Sequence, residues 1–222
     1  MGYNIAIDGP AGAGKSTIAK RVAKELGFIY VDTGAMYRAI ALYFLRKKID
    51  LTNEKVVSIA CESIDITIGY QGKEQQVYLN GENVNSFIRT EEVGKLASIS
   101  AGNREVRMKL MELQKALAQK ENVVMDGRDI GTYVLPKAQL KIFLTASAKT
   151  RAKRRFLELE EKGTECDINE IENDIIERDK RDMTREIAPL KQAVDAILID
   201  SSEMTIEQVA ESIIKLYYES KK

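Results

Sequence analysis

The segment Gly9-Pro10-Ala11-Gly12-Ala13-Gly14-Lys15-Ser16 decides the fold of this chain. It follows an apolar run at 4–8 that is typical of a buried strand, and it precedes helical apolar periodicity at 18–26. Glycines here let backbone N–H groups turn inward, and the following helix adds its positive N-terminal dipole. Lys15 supplies a point charge, and the Ser16 hydroxyl is suited to hold Mg²⁺. The segment therefore predicts a cradle for the phosphates of a nucleoside triphosphate.

A glycine-rich turn beside a surface lysine is the alternative interpretation of this segment. Its four constrained positions would coincide by chance on the order of once in a hundred chains of this length, before the strand and helix context is required. The motif and its position between a predicted strand and a predicted helix together favour the phosphate cradle.

Charge and composition exclude several classes of function. The 222 residues contain 34 basic and 34 acidic side chains, so we expect neither nucleic acid nor a membrane as a partner. Histidine is absent, which excludes Ser-His and Cys-His nucleophiles and His-ligated metals. Cys61 and Cys166 stand far apart, which argues against a zinc site or a disulfide framework. Without a recognisable secretory signal or a membrane-length apolar run, we expect a cytoplasmic protein.

Short apolar, β-branched runs alternate with longer helical patterns along the chain. This alternation predicts an α/β fold in which helices wrap a parallel five-stranded sheet. Several runs end in Asp before a Gly- or Ser-containing turn, and ligands collect at the carboxyl ends of such strands. The predicted strands are 4–8, 28–32, 123–126, 140–144 and 196–200.

Two segments depart from the α/β alternation. Residues 64–84 alternate apolar and polar side chains around turn signals at Gly72 and Asn80-Gly81, which predicts a small antiparallel meander. Two highly charged helical tracts, 149–163 and 167–185, meet near Gly163 and are expected to be exposed and mobile, as a lid would be.

The phosphate cradle alone does not separate kinases, GTPases and ATPases. A GTPase would normally carry an Asn-Lys-x-Asp motif, which this sequence lacks. Two alternatives remain open at this point: a kinase for another small acceptor, such as uridine or adenosine monophosphate, and a non-catalytic nucleotide-binding or switch protein.

Further motifs, together with the cradle and the meander, make the whole chain resemble the bacterial cytidylate kinases, which are P-loop nucleoside monophosphate kinases. These motifs are Val31-Asp32-Thr33-Gly34-Ala35-Met36-Tyr37-Arg38, Asp126-Gly127-Arg128-Asp129-Ile130-Gly131-Thr132, and Arg178-Asp179-Lys180-Arg181-Asp182 with Arg185 nearby. The resemblance implies a single kinase domain with a core (1–34, 111–148 and 186–222), a monophosphate-binding insert (35–110) and a lid (149–185).

The resemblance also implies the substrates. ATP would donate its γ-phosphoryl group to cytidine monophosphate (CMP), and also to its deoxy form (dCMP), with Mg²⁺ held at Ser16 and the protein acting as a monomer. The residues implied for ATP are Gly9, Pro10, Ala11, Gly12, Ala13, Gly14, Lys15, Ser16 and Thr17. The catalytic residues implied are Lys15, Arg128, Arg178 and Arg185.

The acceptor site implied by the resemblance divides into phosphate, sugar and base contacts. Arg38 and Arg128 face the acceptor phosphate beside Thr33, Arg178 and Arg185 reach the phosphates, and Asp182 binds the ribose. Cytosine is read by Ser98, Arg107 and Asp129. An Asp acceptor beside Arg and Ser donors complements the N4 amino group and the N3 and O2 acceptors of cytosine, so uridine monophosphate should be a poorer substrate.

Several of these residues have a simpler interpretation when taken alone. Arg178, Asp182 and Arg185 are spaced to share one helix face, which an exposed helix with an Arg178–Asp182 ion pair would also explain. Arg38 could be a surface arginine. For the basic residues that open the lid, donation to ATP and a solvated basic face are open alternatives, and they are left out of the predicted site: Arg151, Arg154 and Arg155.

Overall fold

A computed structural model describes residues 2–72 and 74–221 of this protein. Its centre is a sheet of five parallel strands in the spatial order β2-β6-β1-β7-β8, which confirms the predicted α/β class. The strands are β1 (Asn4–Asp8), β2 (Ile29–Asp32), β6 (Val123–Gly127), β7 (Leu140–Thr145) and β8 (Ile197–Asp200). Each lies within one or two residues of a strand that the apolar runs predict.

Helices cover both faces of this sheet because successive strand residues point to opposite sides. On one face, Ala6 and Met125 pack with α2 and α5, and on the other Ile7 and Val124 pack with α1 and α8. The helices are α1 (Lys15–Leu26), α2 (Thr33–Lys47), α3 (Glu54–Glu62), α4 (Glu91–Ser100), α5 (Arg104–Lys120), α6 (Ala148–Glu161), α7 (Ile168–Thr184) and α8 (Ile206–Glu219).

The predicted antiparallel meander is present as a second, three-stranded sheet. Its strands are β3 (Ile66–Gln71), β4 (Glu74–Leu79) and β5 (Glu82–Asn83), in sequential order. Asn80 and Gly81 both have positive φ, 49° and 84°, as the tight turn between β4 and β5 requires. Alternate residues Val77 and Leu79 are buried in the same apolar cluster as α2, so this small sheet is packed against the main core.

Two side chains of the meander form hydrogen bonds to the open edge of the main sheet. Strand β2 has a neighbour on one side only, which leaves backbone groups that need partners. The Gln75 side chain accepts a hydrogen bond from the Asp32 N–H (2.9 Å) and donates one to the Asp32 carbonyl oxygen (3.1 Å). Tyr70 donates its hydroxyl to the Tyr30 carbonyl oxygen at 3.2 Å. Both contacts fix the end of β2, from which α2 continues.

The described residues, 2–72 and 74–221, contain no helix with the length and apolar character needed to cross a membrane.

Replacing Gln75 with alanine tests this edge contact. The Gln75→Ala variant should lose about 1–3 kcal/mol of unfolding free energy in urea titration, because two partly buried backbone groups of Asp32 lose their partners. Gln71→Ala is the control, because Gln71 is exposed on the neighbouring strand, and it should change stability by less than about 0.5 kcal/mol. Equal losses in the two variants would refute the role of Gln75.

Candidate active site

The predicted phosphate cradle forms a tight loop between β1 and α1. Gly9 has φ 150°, and a Cβ atom placed on it would lie 1.9 Å from the Leu144 carbonyl oxygen of β7. Gly14 caps α1 with φ 82°, in the left-handed region that side chains rarely adopt. Both positions therefore require glycine. The N-terminus of α1 opens directly after them, where its free N–H groups and dipole favour an anion.

Lys15 lies buried inside the loop, with its Nζ donating a hydrogen bond to the Pro10 carbonyl oxygen at 2.6 Å. Burial, reinforced by the nearby Arg128 charge, holds the pKa of Lys15 well below its usual value. The ammonium group is thus poorly solvated, and an approaching anion would stabilise its charged form.

Ser16 is joined to the strand that follows the meander through Asp126 at the end of β6. The Ser16 hydroxyl donates to one carboxylate oxygen of Asp126 at 3.0 Å, and the Tyr30 hydroxyl donates to the other at 2.8 Å. Burial and the neighbouring Asp32 charge raise the pKa of Asp126 to about 6. Asp126 is missing from the predicted site residues, although it is one of the aspartates that end a predicted strand.

Asp8 performs a similar connecting role on the neighbouring strand. Its carboxylate accepts hydrogen bonds from the Ile130 and Gly131 N–H groups at 2.8 and 2.7 Å. These groups belong to a single π-helical turn, Ile130–Val134, directly after Arg128 and Asp129. Burial raises the pKa of Asp8 to about 6. Asp8 therefore ties the start of the cradle to the Arg128–Asp129 motif, and the sequence reasoning did not single it out.

A cavity of about 970 Å³ opens above the carboxyl ends of the strands, and basic side chains outnumber acidic ones among its lining residues. The cavity brings together nearly all of the predicted site. Of the predicted residues, Gly9 and Pro10 lie outside the lining, and those within it are Ala11, Gly12, Ala13, Gly14, Lys15, Ser16, Thr17, Thr33, Arg38, Ser98, Arg107, Arg128, Asp129, Arg178, Asp182 and Arg185.

The arginines in this cavity are crowded and poorly solvated. Burial, followed by the charge of Arg128, lowers the pKa of Arg178 to about 10. The buried Nε of Arg178 has no hydrogen-bond partner within residues 2–72 and 74–221. Burial also lowers the pKa of Arg38 and Arg185, with added repulsion from Arg89 and Arg107 respectively. Together, these arginines form a site suited to a group with several negative charges.

Asp182 and Arg185 lie at the C-terminal end of α7. Asp182 accepts from the Nε of Arg128 at 2.9 Å, so the ion pair it forms is with Arg128 and not with Arg178. Helix α7 ends at Thr184, and Arg185 caps it with extended backbone, φ −61° and ψ 143°. Arg185 is therefore the cap residue of α7, and its N–H still donates to the Arg181 carbonyl oxygen, one helical turn back. Its Nε donates to the Ala188 carbonyl oxygen, and its Nη2 lies 3.4 Å from Asp129.

Thr33 and Arg38 both lie on α2. The Thr33 hydroxyl donates to the Asp126 carbonyl oxygen at 2.7 Å and so joins the ends of β2 and β6. The Nη1 of Arg38 donates to the carbonyl oxygens of Ile88 and Thr90, just before α4. Backbone carbonyl oxygens therefore hold the Arg38 guanidinium in place, and the interpretation of Arg38 as an ordinary surface arginine is wrong.

The three residues predicted to recognise a base all line the cavity. Arg107 and Asp129 form a buried ion pair, and Arg107 also donates to the Ala101 carbonyl oxygen at 3.0 Å. The Arg107 guanidinium lies 5.8 Å from the ring centre of Tyr37. The buried Ser98 hydroxyl has no partner in the described part of the chain. This corner offers a carboxylate, a guanidinium and one uncommitted hydroxyl to a ligand.

Of the three arginines near the start of α6, Arg151 is the buried one. It is 5 % exposed, and its Nη1 donates to the cradle carbonyl oxygen of Ala11 at 2.8 Å. Its Nη2 pairs with Asp179 of α7 at 2.6 Å. Arg154 donates to the Ser201 carbonyl oxygen at 2.7 Å. The exposed Arg155 pairs with Glu158, so the solvated-face interpretation fits Arg155 and is wrong for Arg151.

Removing the Arg151 charge should uncouple α7 from the cradle. The Arg151→Met variant should lose about 3 kcal/mol or more of unfolding free energy in urea titration, because it leaves the Asp179 carboxylate buried without its partner. Arg155→Met removes an exposed pair on the same helix and should cost at most about 1 kcal/mol. Similar losses in both variants would show that Arg151 does not hold the two segments together.

Comparison with known proteins adds independent information about this chain. A family model described as cytidylate kinase matches residues 5–219. A protein named cytidylate kinase from Caldicellulosiruptor saccharolyticus is 54 % identical over 215 residues, covering 97 % of this chain and 95 % of that protein. Another of that name, from Shouchella clausii, is 49 % identical over 218 residues, covering 98 % and 97 %.

Solved structures agree with the fold. A shikimate kinase from Acinetobacter baumannii, in complex with shikimate, superposes with a TM-score of 0.53 at 16 % identity, covering 100 % of this chain and 96 % of that chain. At this identity the likeness concerns the fold alone. The family assignment rests on the sequence matches, which extend over nearly the whole chain and include its phosphate cradle. By these matches, the chain belongs to the cytidylate kinase family.

Proposed function

We propose that this protein transfers the γ-phosphoryl group of ATP to CMP, producing CDP and ADP. The family supports this reaction. Within the structure, the observation that carries it is Arg178: its desolvated guanidinium, with a pKa lowered to about 10, lies beside Arg128 in the cavity lined by the cradle. The charged form of such a guanidinium is stabilised when phosphate groups of two substrates bind next to it.

The chain can promote this reaction by positioning and by electrostatic stabilisation. The phosphate of CMP is already ionised at neutral pH, and phosphoryl transfer passes through a loose transition state, so a strong general base is not required. We propose that Lys15 on the donor side and Arg128 and Arg178 on the acceptor side, which all line the cavity, neutralise charge on the transferring group. The absence of histidine from the sequence is compatible with this chemistry.

A Mg²⁺ ion fits the donor side of this site. Hydroxyl and carboxylate oxygens are the ligands that Mg²⁺ prefers, and Ser16 and Asp126 place one of each 3.0 Å apart beside the cradle. We propose that these two residues hold the ion together with the phosphates of ATP. When bound, it would neutralise part of the negative charge of those phosphates.

Recognition of cytosine is proposed for the corner formed by Asp129, Arg107 and Ser98. A carboxylate can accept about four hydrogen bonds, so Asp129 retains capacity for the N4 amino group of cytosine beside its pair with Arg107. Ser98 contributes the uncommitted hydroxyl. Uracil presents a carbonyl oxygen where cytosine has its amino group, and it would face the carboxylate unfavourably.

The remaining features of the function are proposals as well. We propose dCMP as a second acceptor, Asp182 as the contact for the sugar, and Arg38, Arg128 and Arg185 as contacts for the phosphates. Segments 35–110 and 149–185 would serve as the monophosphate-binding insert and the lid, around the core. We also propose a monomer in the cytoplasm, where the free thiols of Cys61 and Cys166 would remain reduced.

Nucleotide-dependent release of ADP tests the proposed function. With ATP and Mg²⁺, CMP should stimulate ADP release strongly and UMP more weakly, while AMP should have little effect. Lys15→Ala should reduce CMP-dependent turnover by at least about a hundredfold, because the charge beside the donor phosphates is lost. Failure of CMP to stimulate the wild-type protein would favour a non-catalytic nucleotide-binding role, and equal rates on CMP and UMP would refute the cytosine specificity.

Replacing Ser98 with alanine tests the base corner without disturbing the fold. The hydroxyl has no partner among the described residues, so stability should be unchanged or slightly higher. The KM for CMP should rise by about tenfold, because one hydrogen bond to the base is lost. Ser100→Ala is the matched control: Ser100 is buried on the same helix, its hydroxyl bonds to Ala97, and its KM should be that of the wild type. An unchanged KM for Ser98→Ala would remove Ser98 from the site.

A further inference from the structure

Gly94 occupies an unusual position in the interior of helix α4. A Cβ atom built on it would lie 3.0 Å from Nη2, 3.1 Å from Nη1 and 3.3 Å from Cζ of Arg38. These three nearest atoms all belong to one guanidinium group. The terminal nitrogens of that group therefore lie closest to α4, at the one place where the helix has no side chain.

Arg38 has little freedom to move away from Gly94. Its Nη1 donates to the carbonyl oxygens of Ile88 at 3.0 Å and Thr90 at 3.3 Å, both in the segment that leads into α4. Arg89, another cation, lies close enough to contribute to the lowered pKa of Arg38. A methyl group at position 94 would require the guanidinium to shift by a few tenths of an ångström, which would disturb its hydrogen bonds to these carbonyl oxygens.

The helix itself gives no reason for a glycine at this position. Glycine is a poorer helix former than alanine because it loses more backbone entropy, and Gly94 is neither a cap nor a residue of positive φ. The same helix faces the cavity with Ala97 and Ser98, one turn further on. The first turn of α4 therefore receives the guanidinium of Arg38, and its next turn borders the base corner.

We infer that Gly94 is a positioning residue for the acceptor: the missing side chain lets the terminal nitrogens of Arg38 approach α4 and fixes the direction from which Arg38 meets the acceptor phosphate. The inference rests on the proposed function, since it assumes that Arg38 binds the phosphate of CMP. It predicts that activity and stability respond in opposite directions to a methyl group at this position, because helix propensity rises while Arg38 is displaced.

The Gly94→Ala variant tests this inference in the full-length protein. Its KM for CMP should rise by about tenfold, as expected when one charge-assisted contact is displaced, while its KM for ATP stays at the wild-type value. Its Tm should be unchanged or higher than that of the wild type. The control is Gly102→Ala, because a Cβ at Gly102 would make only an ordinary contact, 3.5 Å from the Ile99 carbonyl oxygen, and its KM for CMP should be unchanged.

A double-mutant cycle with Arg38→Met separates positioning from a general effect on the helix. If Gly94 acts through Arg38, Gly94→Ala should raise the KM for CMP in the wild-type background and leave it unchanged in the Arg38→Met background. The same fold-change in both backgrounds, or an unchanged KM in Gly94→Ala, would overturn the inference, as would a lower Tm with equal losses for both substrates. If the wild-type protein fails to phosphorylate CMP, the proposed function falls first and the inference with it.

Discussion

Placing several arginine side chains in one cavity costs free energy, because each loses hydration and each repels the others. This cost appears as lowered pKa values of Arg38, Arg178 and Arg185. In each case burial is the larger cause, and the charge of a neighbouring arginine is the next. The rest of the site is arranged to support this concentration of positive charge. It is also the physical reason for a substrate that carries phosphate, since multiply charged anions relieve both the desolvation and the repulsion.

Two kinds of contact hold the cationic groups in place. Backbone carbonyl oxygens accept from Lys15 and Arg38, so these cations are oriented without being neutralised. Buried carboxylates pair with others, as Asp182 does with Arg128 and Asp179 with Arg151. The Asp182–Arg128 pair therefore connects α7 to the segment that follows β6. Arg151 of α6 connects α7 to the cradle, because it contacts both Asp179 and the Ala11 carbonyl oxygen.

The buried carboxyl groups of Asp8 and Asp126 make the stability of the fold depend on pH. Burial raises both pKa values from 3.8 to about 6, so the folded state holds these protons more tightly than the unfolded chain does. Their contribution to stability is therefore fully present at acidic pH and is lost as the pH rises from about 4 through about 6. At neutral pH the two ionised carboxylates destabilise the fold. They are nevertheless the groups that organise Ser16 and the turn after Asp129.

The fold was predictable because its signals are local. Apolar periodicity gave five strands within one or two residues, and the positive-φ turn at Asn80-Gly81 marked the meander. The site was predictable only in part, because partners distant in the sequence decide it. Nothing near Asp182 indicates its pair with Arg128, and the helix end before Arg185 carries no glycine or proline signal. Ser98 and Arg107 entered the predicted site through family resemblance, whereas the contacts of Asp8, Asp126, Arg151 and Gly94 join residues far apart in the sequence and are visible only in the three-dimensional structure.

Following the γ-phosphoryl group of ATP tests the central claim most directly. This claim is that the cationic cavity binds the phosphates of two nucleotides next to each other. ATP carrying radioactive phosphorus in its γ-phosphate would be incubated with the protein, Mg²⁺ and CMP, and the products separated. The account predicts that the label appears in the terminal phosphate of CDP, in equal amount to the ADP formed. Label released as inorganic phosphate, or retained in ATP at every concentration of CMP, would contradict it.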